Sequence, residues 1–273
     1  MLYFPNAKIN IGLNVISKRE DGFHNLSTLF YPLQLCDGLE IVENGLDHTR
    51  FTQSGLTIEG ELTDNLVYLA LLLIKERFEI PNLDIHLHKK IPFGAGLGGG
   101  SADASFMLKA LNEMFNLELN TQELIDLSVQ LGSDCPFFII NTPCFATGRG
   151  EELVPTDLDL SGYRLVLVNP NIMVSTPEAF RYVTPHEPFT SLEEAILNPL
   201  PSWKGLVEND FEKSVFCQYP AIQELKTKLY QEGATYVSMS GSGSSVFGIF
   251  KNTVAWNREV IDPSYFVWEE IIK

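Results

Sequence analysis

Five of the seven residues from Gly94 to Gly100 are glycine, in the run Ile91-Pro92-Phe93-Gly94-Ala95-Gly96-Leu97-Gly98-Gly99-Gly100-Ser101. Glycine loses more backbone freedom on folding than any other residue. Such density is sustained where a chain bends sharply or lets a ligand approach its backbone. The flanks narrow the choice. Before the run, Leu83-Asp84-Ile85-His86-Leu87-His88 alternates apolar and polar, the period of a half-buried strand. After it, Ala104, Met107, Leu108, Leu111, Met114 and Phe115 recur at helical spacing, which predicts a helix capped by Ser101. A glycine loop that opens a helix presents free N–H groups at the positive end of the helix dipole. That is a site for an anion, phosphate above all.

Charge and composition exclude several other roles. A net charge of −16 over 273 residues leaves no basic face for nucleic acid. In so acidic a chain, a polyphosphate binds only where backbone amides and a few lysines reverse the local field. Cys36, Cys135, Cys144 and Cys217 form no C-x-x-C pair, as expected of reduced thiols in a cytoplasm. Residues 1–10 lack the apolar core of a signal peptide, and the longest aliphatic run, Leu69 to Ile74, is too short to span a bilayer. The expectation is a soluble cytoplasmic protein that acts on small molecules, with no nucleic-acid or membrane partner.

Along the chain, Ile9, Ile11, Leu13 and Val15 alternate with Lys8, Asn10, Gly12 and Asn14, a strand that buries its aliphatic face. Asp21-Gly22 marks a turn. Strand-like segments follow to about residue 60, residues 65–78 read as a helix, and Thr121-Gln122-Glu123-Leu124 opens another that stops near Gly132. Val154 to Asp159 reads as a linker, and Tyr163 to Val168 as a new strand. Ser175-Thr176-Pro177-Glu178 is a helix start, with a hydroxyl cap, an early proline and an acid beside the dipole. Pro220 to Glu232 is an amphipathic helix closed by Gly233, and the strands Tyr236–Ser240 and Val246–Phe250 flank a second glycine loop, Gly241-Ser242-Gly243-Ser244-Ser245. This order predicts an α+β fold of two domains, residues 1–154 and 155–273.

Of the known phosphate loops, the P-loop needs a lysine before its Ser/Thr, and none stands there. The Rossmann spacing is met by Gly94, Gly96 and Gly99. Its context is wrong, because the helix is followed by a second helix rather than by a strand. Residues 92–104 closely resemble the ATP-binding motif of the GHMP kinases. Four more segments resemble motifs of the same family in the same order: Pro5-Asn6-Ala7-Lys8-Ile9-Asn10-Ile11-Gly12-Leu13, Asp21-Gly22-Phe23-His24-Asn25-Leu26, Gly132-Ser133-Asp134-Cys135-Pro136-Phe137-Phe138 and Ser238-Met239-Ser240-Gly241-Ser242-Gly243-Ser244. The Gly98-Gly99-Gly100-Ser101 ending is most similar to the branch that acts on a cytidine-diphosphate-linked methylerythritol in isoprenoid precursor synthesis.

The resemblance implies an N-terminal domain like domain 2 of ribosomal protein S5, a ferredoxin-like C-terminal domain, and a site in the cleft. It implies an ATP-dependent kinase, with Mg²⁺ arriving on the nucleotide, that phosphorylates the 2-hydroxyl of the cytidyl substrate. A homoserine or mevalonate kinase, or an inactive nucleotide-binding module, stays open beside it. Asp134 is similar to the family's catalytic aspartate, the base for the attacking hydroxyl, and its place just after a helix end, before Cys135-Pro136, predicts extended backbone there. Lys8 beside it would stabilise the carboxylate charge and polarise the hydroxyl. The amides of Gly94, Ala95, Gly96, Leu97, Gly98, Gly99, Gly100, Ser101 and Ala102, after Pro92 and Phe93, would wrap the triphosphate, with Ser101 Oγ on a phosphate oxygen or the Mg²⁺. Asn65, Leu66 and Lys89 would lie near the adenine, and Asp103 would point away from the loop.

Phe23 and Phe180, on opposite faces of the cytosine, and His24 would form the base pocket. Many family members carry tyrosine at position 23, so here the stack remains and a hydroxyl contact is lost. Asn10 and Gly241, Ser242 and Gly243 would face the methylerythritol and diphosphate. His86 and His88 share a strand face at a spacing a metal could use, but no further ligand accompanies them.

Overall fold

A computed structural model describes residues 1–57 and 61–273, so the end of the expected strand run, residues 58–60, lies outside the described residues. The elements in chain order are β1 (Leu2–Tyr3), β2 (Asn6–Lys18), β3 (His24–Cys36), β4 (Gly38–Glu43), β5 (Arg50–Gly55), α1 (Leu66–Lys75), β6 (Leu83–Lys89), α2 (Gly99–Met114), α3 (Thr121–Ser128) and α4 (Cys135–Ile140). They continue with β7 (Cys144–Thr147), β8 (Glu152–Pro155), β9 (Tyr163–Asn169), α5 (Thr176–Phe180), α6 (Leu192–Ile196), α7 (Phe211–Gln218), α8 (Pro220–Gln231), β10 (Tyr236–Met239), β11 (Val246–Lys251) and β12 (Phe266–Ile271). The chain forms two compact units: Met1–Lys8, Pro32–Phe93 and Gly98–Thr142 in the first, Ile9–Tyr31, Gly94–Leu97 and Pro143–Lys273 in the second. This division differs from a single cut near residue 155, because the chain changes unit within β2, within β3 and within the glycine loop.

The first unit is built on a sheet of order β1-β4-β6-β5. β5 runs parallel to β6, from Arg50 opposite Asp84 to Gly55 opposite Lys89, and a parallel neighbour needs a crossover, which α1 supplies. Leu39, Ile41, Leu83, Ile85 and Leu87 of the sheet share one core with Val67, Leu71 and Ile74 of α1 and Met107, Leu108 and Leu111 of α2. Each such side chain stabilises the fold by about 1.5–3 kcal/mol relative to exposure. Asn65 caps α1 by accepting from Val67 N–H, and α3 starts from a capping box in which Asn120 and Glu123 exchange hydrogen bonds.

The second unit holds an antiparallel sheet of order β10-β11-β9-β12. Val166, Val168, Met239, Val246 and Phe250 bury one face of it with Phe211 and Val215 of α7 and Ile222, Leu225 and Leu229 of α8. A further sheet has the order β2-β3-β7-β8. β8 takes up the start of the expected linker, because Val154 and Pro155 pair with Phe145 and Cys144. In β2 the aliphatic face is buried as expected. The opposite face is buried too: Lys8, Asn10 and Asn14 are no more than 9% exposed. Leu13 is tied to distant chain, its N–H donating to Glu208 O and its carbonyl accepting from Asp210 N–H, while Val15 N–H donates to an Asp210 carboxylate oxygen.

No helix among the described residues is long and apolar enough to cross a membrane. The four cysteines are free thiols.

Candidate active site

The cap of α2 is Gly98 rather than Ser101, which sits one turn into the helix. Gly98 takes a φ of +68°, and a Cβ there would stand 2.8 Å from Phe138 Cζ and 3.1 Å from Lys8 Cε. At Gly99 a Cβ would meet Ile91 Cγ2 at 2.9 Å. Left-handed backbone and close neighbours explain these glycines directly. The N–H groups of Gly99, Gly100 and Ser101 in the first turn have no acceptor within the helix, whereas Ala102 N–H already donates to Gly98 O at 2.8 Å. The Ser101 hydroxyl engages the Cys135 thiol, and burial pushes that thiol up to about 11, so Cys135 is an inert neighbour rather than a nucleophile.

Asp134 stands 3.2 Å from Lys8 Nζ through Oδ2, with the lysine buried and the carboxylate about one-third exposed (34%). Its backbone is helical, not extended (φ −83°, ψ −14°), because it is the N-cap residue of the short helix α4. Pro136 in the first turn and the buried rings of Phe137 and Phe138 fix that helix, and through it the position of the carboxylate.

Lys89 is buried between two carboxylates. It forms ion pairs with Asp37 and, at 2.6 Å, with Asp103 Oδ2. Burial works against its charge, but the two carboxylates outweigh it and its pKa is raised. Asp37 also accepts from Lys90 N–H at 2.6 Å and Ile91 N–H at 2.8 Å, which anchors the chain just before the glycine loop. Asp103 does turn away from the loop, toward Lys89. Burial and the neighbouring Asp37 raise its carboxyl to about 8, against the opposing pull of Lys89. Between its ordinary 3.8 and about 8 the folded chain holds a proton that the unfolded chain has lost, so its contribution to stability declines as pH rises through that window. Thermal melts at pH 5 and pH 8.5 are expected to show a decline in the native chain that is smaller in Asp103→Asn. Equal slopes would remove Asp103 as the cause.

Asn65 and Leu66, at the head of α1, line a cavity of about 480 Å³ together with Lys89, Phe93, Gly100 and Asp103. Pro92 is buried and Phe93 exposed at its edge. His86 and His88 are occupied: Ser54 Oγ lies 2.8 Å from one ring and 2.9 Å from the other. No cluster of three metal-ligating side chains occurs among the described residues.

In the second unit, residues 94–97 lie against the second glycine loop. A Cβ at Gly96 (φ +74°) would fall 1.9 Å from Ser240 O, and Ser240 Oγ donates to Gly96 O at 2.7 Å. Ala95 and Leu97 are buried. Asn10 N–H donates to Ser240 Oγ, its side chain donates to Thr28 Oγ1 at 2.9 Å, and its Oδ1 would be 3.2 Å from a Cβ on Gly241. Gly241 and Gly243 are buried, with Ser242 partly exposed between them.

The aromatic residues are arranged differently from the expected sandwich. His24 stacks on Phe180 at 4.5 Å, and Phe180 meets Phe211 edge-on, so one face of Phe180 is spent on His24. Phe23 is 54% exposed, with the Arg149 guanidinium 4.9 Å over its ring. Burial, and Lys18 nearby, lower the His24 pKa, which favours the neutral imidazole. Asp37, Thr28 and Arg149 were not singled out in the sequence. Asp37 looks like a turn residue in Cys36-Asp37-Gly38, and only the strand break there hinted at more.

Residues 65–142 match the family described as GHMP kinases N terminal domain, and residues 191–255 match GHMP kinases C terminal. The 4-diphosphocytidyl-2-C-methyl-D-erythritol kinase of Parabacteroides distasonis is 53% identical over 98% of both chains, and that of Bacteroides fragilis 56% identical over 92% of both. A crystal structure of 4-(cytidine 5'-diphospho)-2C-methyl-D-erythritol kinase superposes with a TM-score of 0.75 at 33% identity, over 91% of this chain and 90% of that one. A glycine-headed helix beside a lysine–aspartate pair thus sits in a chain alike from end to end to these enzymes, and the chain belongs to the GHMP kinases, in the family of 4-diphosphocytidyl-2-C-methyl-D-erythritol kinases.

Proposed function

We propose that the chain transfers the γ-phosphoryl group of ATP to the 2-hydroxyl of 4-diphosphocytidyl-2-C-methyl-D-erythritol, a step in isoprenoid precursor synthesis, and that it does so in the cytoplasm with no nucleic-acid or membrane partner. One observation carries this reading. Lys8 stands against Gly98 at the head of the glycine helix and, through Nζ, 3.2 Å from Asp134. Cation, base and phosphate cradle are therefore in one place, which is what phosphoryl transfer asks of a protein.

Asp134 accepts the proton of the attacking hydroxyl, whose oxygen forms the new bond to phosphorus as the bond to the leaving ADP oxygen breaks. Lys8 holds the carboxylate in place and offsets the negative charge that collects there. The N–H groups of Gly99, Gly100 and Ser101 face the phosphoryl oxygens from the helix end. Ser101 Oγ, in the first turn of α2, would be the hydroxyl to hold a Mg²⁺ carried in on the phosphates, which would offset their charge.

In the second unit, Asn10 and Gly241 to Gly243 would take the methylerythritol and diphosphate end. Phe23 offers the exposed ring for the cytosine, with His24 and Phe180 beside it as a closed stack. The test is ATP consumption measured with the cytidyl compound, with homoserine, with mevalonate and with no acceptor. Turnover is expected with the cytidyl compound alone. Its absence there would sink the reading, and turnover with another acceptor would move the chain to another specificity.

A further inference from the structure

The second glycine loop is a tight turn whose middle peptide is gripped by one buried side chain. Ser240 O accepts from Gly243 N–H at 3.0 Å, and φ is +54° at Gly241 but negative at Ser242, the signs of a type II′ turn. The middle peptide, Gly241 C=O with Ser242 N–H, is the part of such a turn that can reverse while both ends stay in place. Asn209 fixes it. Its Nδ2 donates to Gly241 O at 2.9 Å and to Met239 O at 2.8 Å, while its Oδ1 accepts from Phe211 N–H at 3.0 Å. Two carbonyls at one end and a donor at the other settle which way the amide points and use both of its N–H groups. Asn209 is 2% exposed, and the chain on either side of it is pinned to β2, where Leu13 N–H donates to Glu208 O and Leu13 O accepts from Asp210 N–H. All of these residues belong to the second unit. A trans peptide directs its C=O and N–H oppositely. With Gly241 O turned to the buried Asn209, Ser242 N–H is turned away from it, on a partly exposed residue, and it makes no hydrogen bond among the described residues.

We infer that Asn209 is a positioning residue for the cytidyl substrate: by holding Gly241 O it aims Ser242 N–H at an oxygen of the substrate's diphosphate. This rests on the reading of the chain as a kinase of that compound, with the second glycine loop at its diphosphate. Asn209 acts only through the loop. A reversed peptide would set Gly241 O against the phosphate, acceptor against acceptor, so the side chain that fixes the peptide decides whether the loop attracts or repels an anion. The strand that pins Asn209 also carries Asn10, whose N–H donates to Ser240 Oγ at 3.1 Å, so both groups expected at this end of the substrate take their register from β2.

Calorimetric titration of the full chain with cytidine diphosphate and with cytidine, its nucleotide site saturated with a non-hydrolysable ATP analogue, tests this. The native chain is expected to bind the diphosphate more tightly than the nucleoside. Asn209→Ala is expected to weaken cytidine diphosphate about tenfold, as for one hydrogen bond to a charged group, and to leave cytidine unchanged. A merely structural role would weaken both. Ser242→Pro suits the negative φ and deletes the N–H itself without touching the buried amide. It should give the same selective loss, and the double variant little more. Equal weakening of both ligands in Asn209→Ala, or undiminished binding of the diphosphate in either variant, would overturn the assignment. Ser242→Pro decides where Asn209→Ala folds poorly. Failure of the native chain to bind either compound would remove the cytidyl reading together with Asn209, whereas native binding of both with no preference for the diphosphate removes Asn209 alone.

Discussion

Asp134→Asn is expected to lower kcat by about 10³-fold, the usual contribution of a positioned general base, while the KM for ATP changes little. The substitution preserves shape. It leaves α4 and its buried Phe137 and Phe138 untouched, so the far-ultraviolet circular dichroism should match that of the native chain. Lys8→Met keeps the packing of the lysine stem against Gly98 and removes its charge. Its loss should be of similar size, and the double variant should lose little more than either single one, because residues acting as a unit are not additive. A single variant turning over at close to the native rate would take that residue out of the mechanism.

The second large effect is on stability. Lys89→Met leaves Asp37 and Asp103 as two buried carboxylates without their shared cation. Removing one partner from a buried ion cluster costs about 3–5 kcal/mol. For a chain of this size that corresponds to a melting temperature lower by roughly 10 °C. The deficit should shrink in acid, where the two carboxyls take up protons, and grow toward pH 9. An unchanged melting temperature would show that the cluster is not needed to hold the fold. Because Asp37 also anchors Lys90 and Ile91, a partial loss of nucleotide affinity is expected to accompany the loss of stability.

How much of this could be read in advance differs from residue to residue. The alternation in β2, the period of α2 and the Ser175 cap with its Glu178 box were all visible, because each is a local pattern of charge and size. The pairing of Lys8 with Asp134 was an expectation of the family resemblance alone, since no local pattern joins residues so far apart. Two local expectations failed for local reasons. Ser101 looked like a cap, but the left-handed backbone of Gly98 starts the helix earlier. Asp134 looked extended, because a helix as short as Cys135–Ile140 shows no period. The Lys89 cluster was hidden for another reason. Asp37 and Asp103 each have an ordinary local explanation, as a turn residue and as an acid in a first helical turn. Only the fold brings both to one lysine.

The ties of Leu13 and Val15 to Glu208 and Asp210 have a consequence for the growing chain. β2 has β3 as its sheet neighbour only a few residues on, yet the partners of Leu13 and Val15 on its other edge, Glu208 and Asp210, are made nearly two hundred residues later. At roughly 5–20 residues per second that is a wait of about 10–40 seconds, during which that edge of β2 has unpaired N–H and C=O groups. The Met1–Lys8, Pro32–Phe93 and Gly98–Thr142 segments are complete well before then. Birth order and assembly order are thus uncoupled in this protein. That edge of β2 is open to chaperones and to mispairing while the chain is being made.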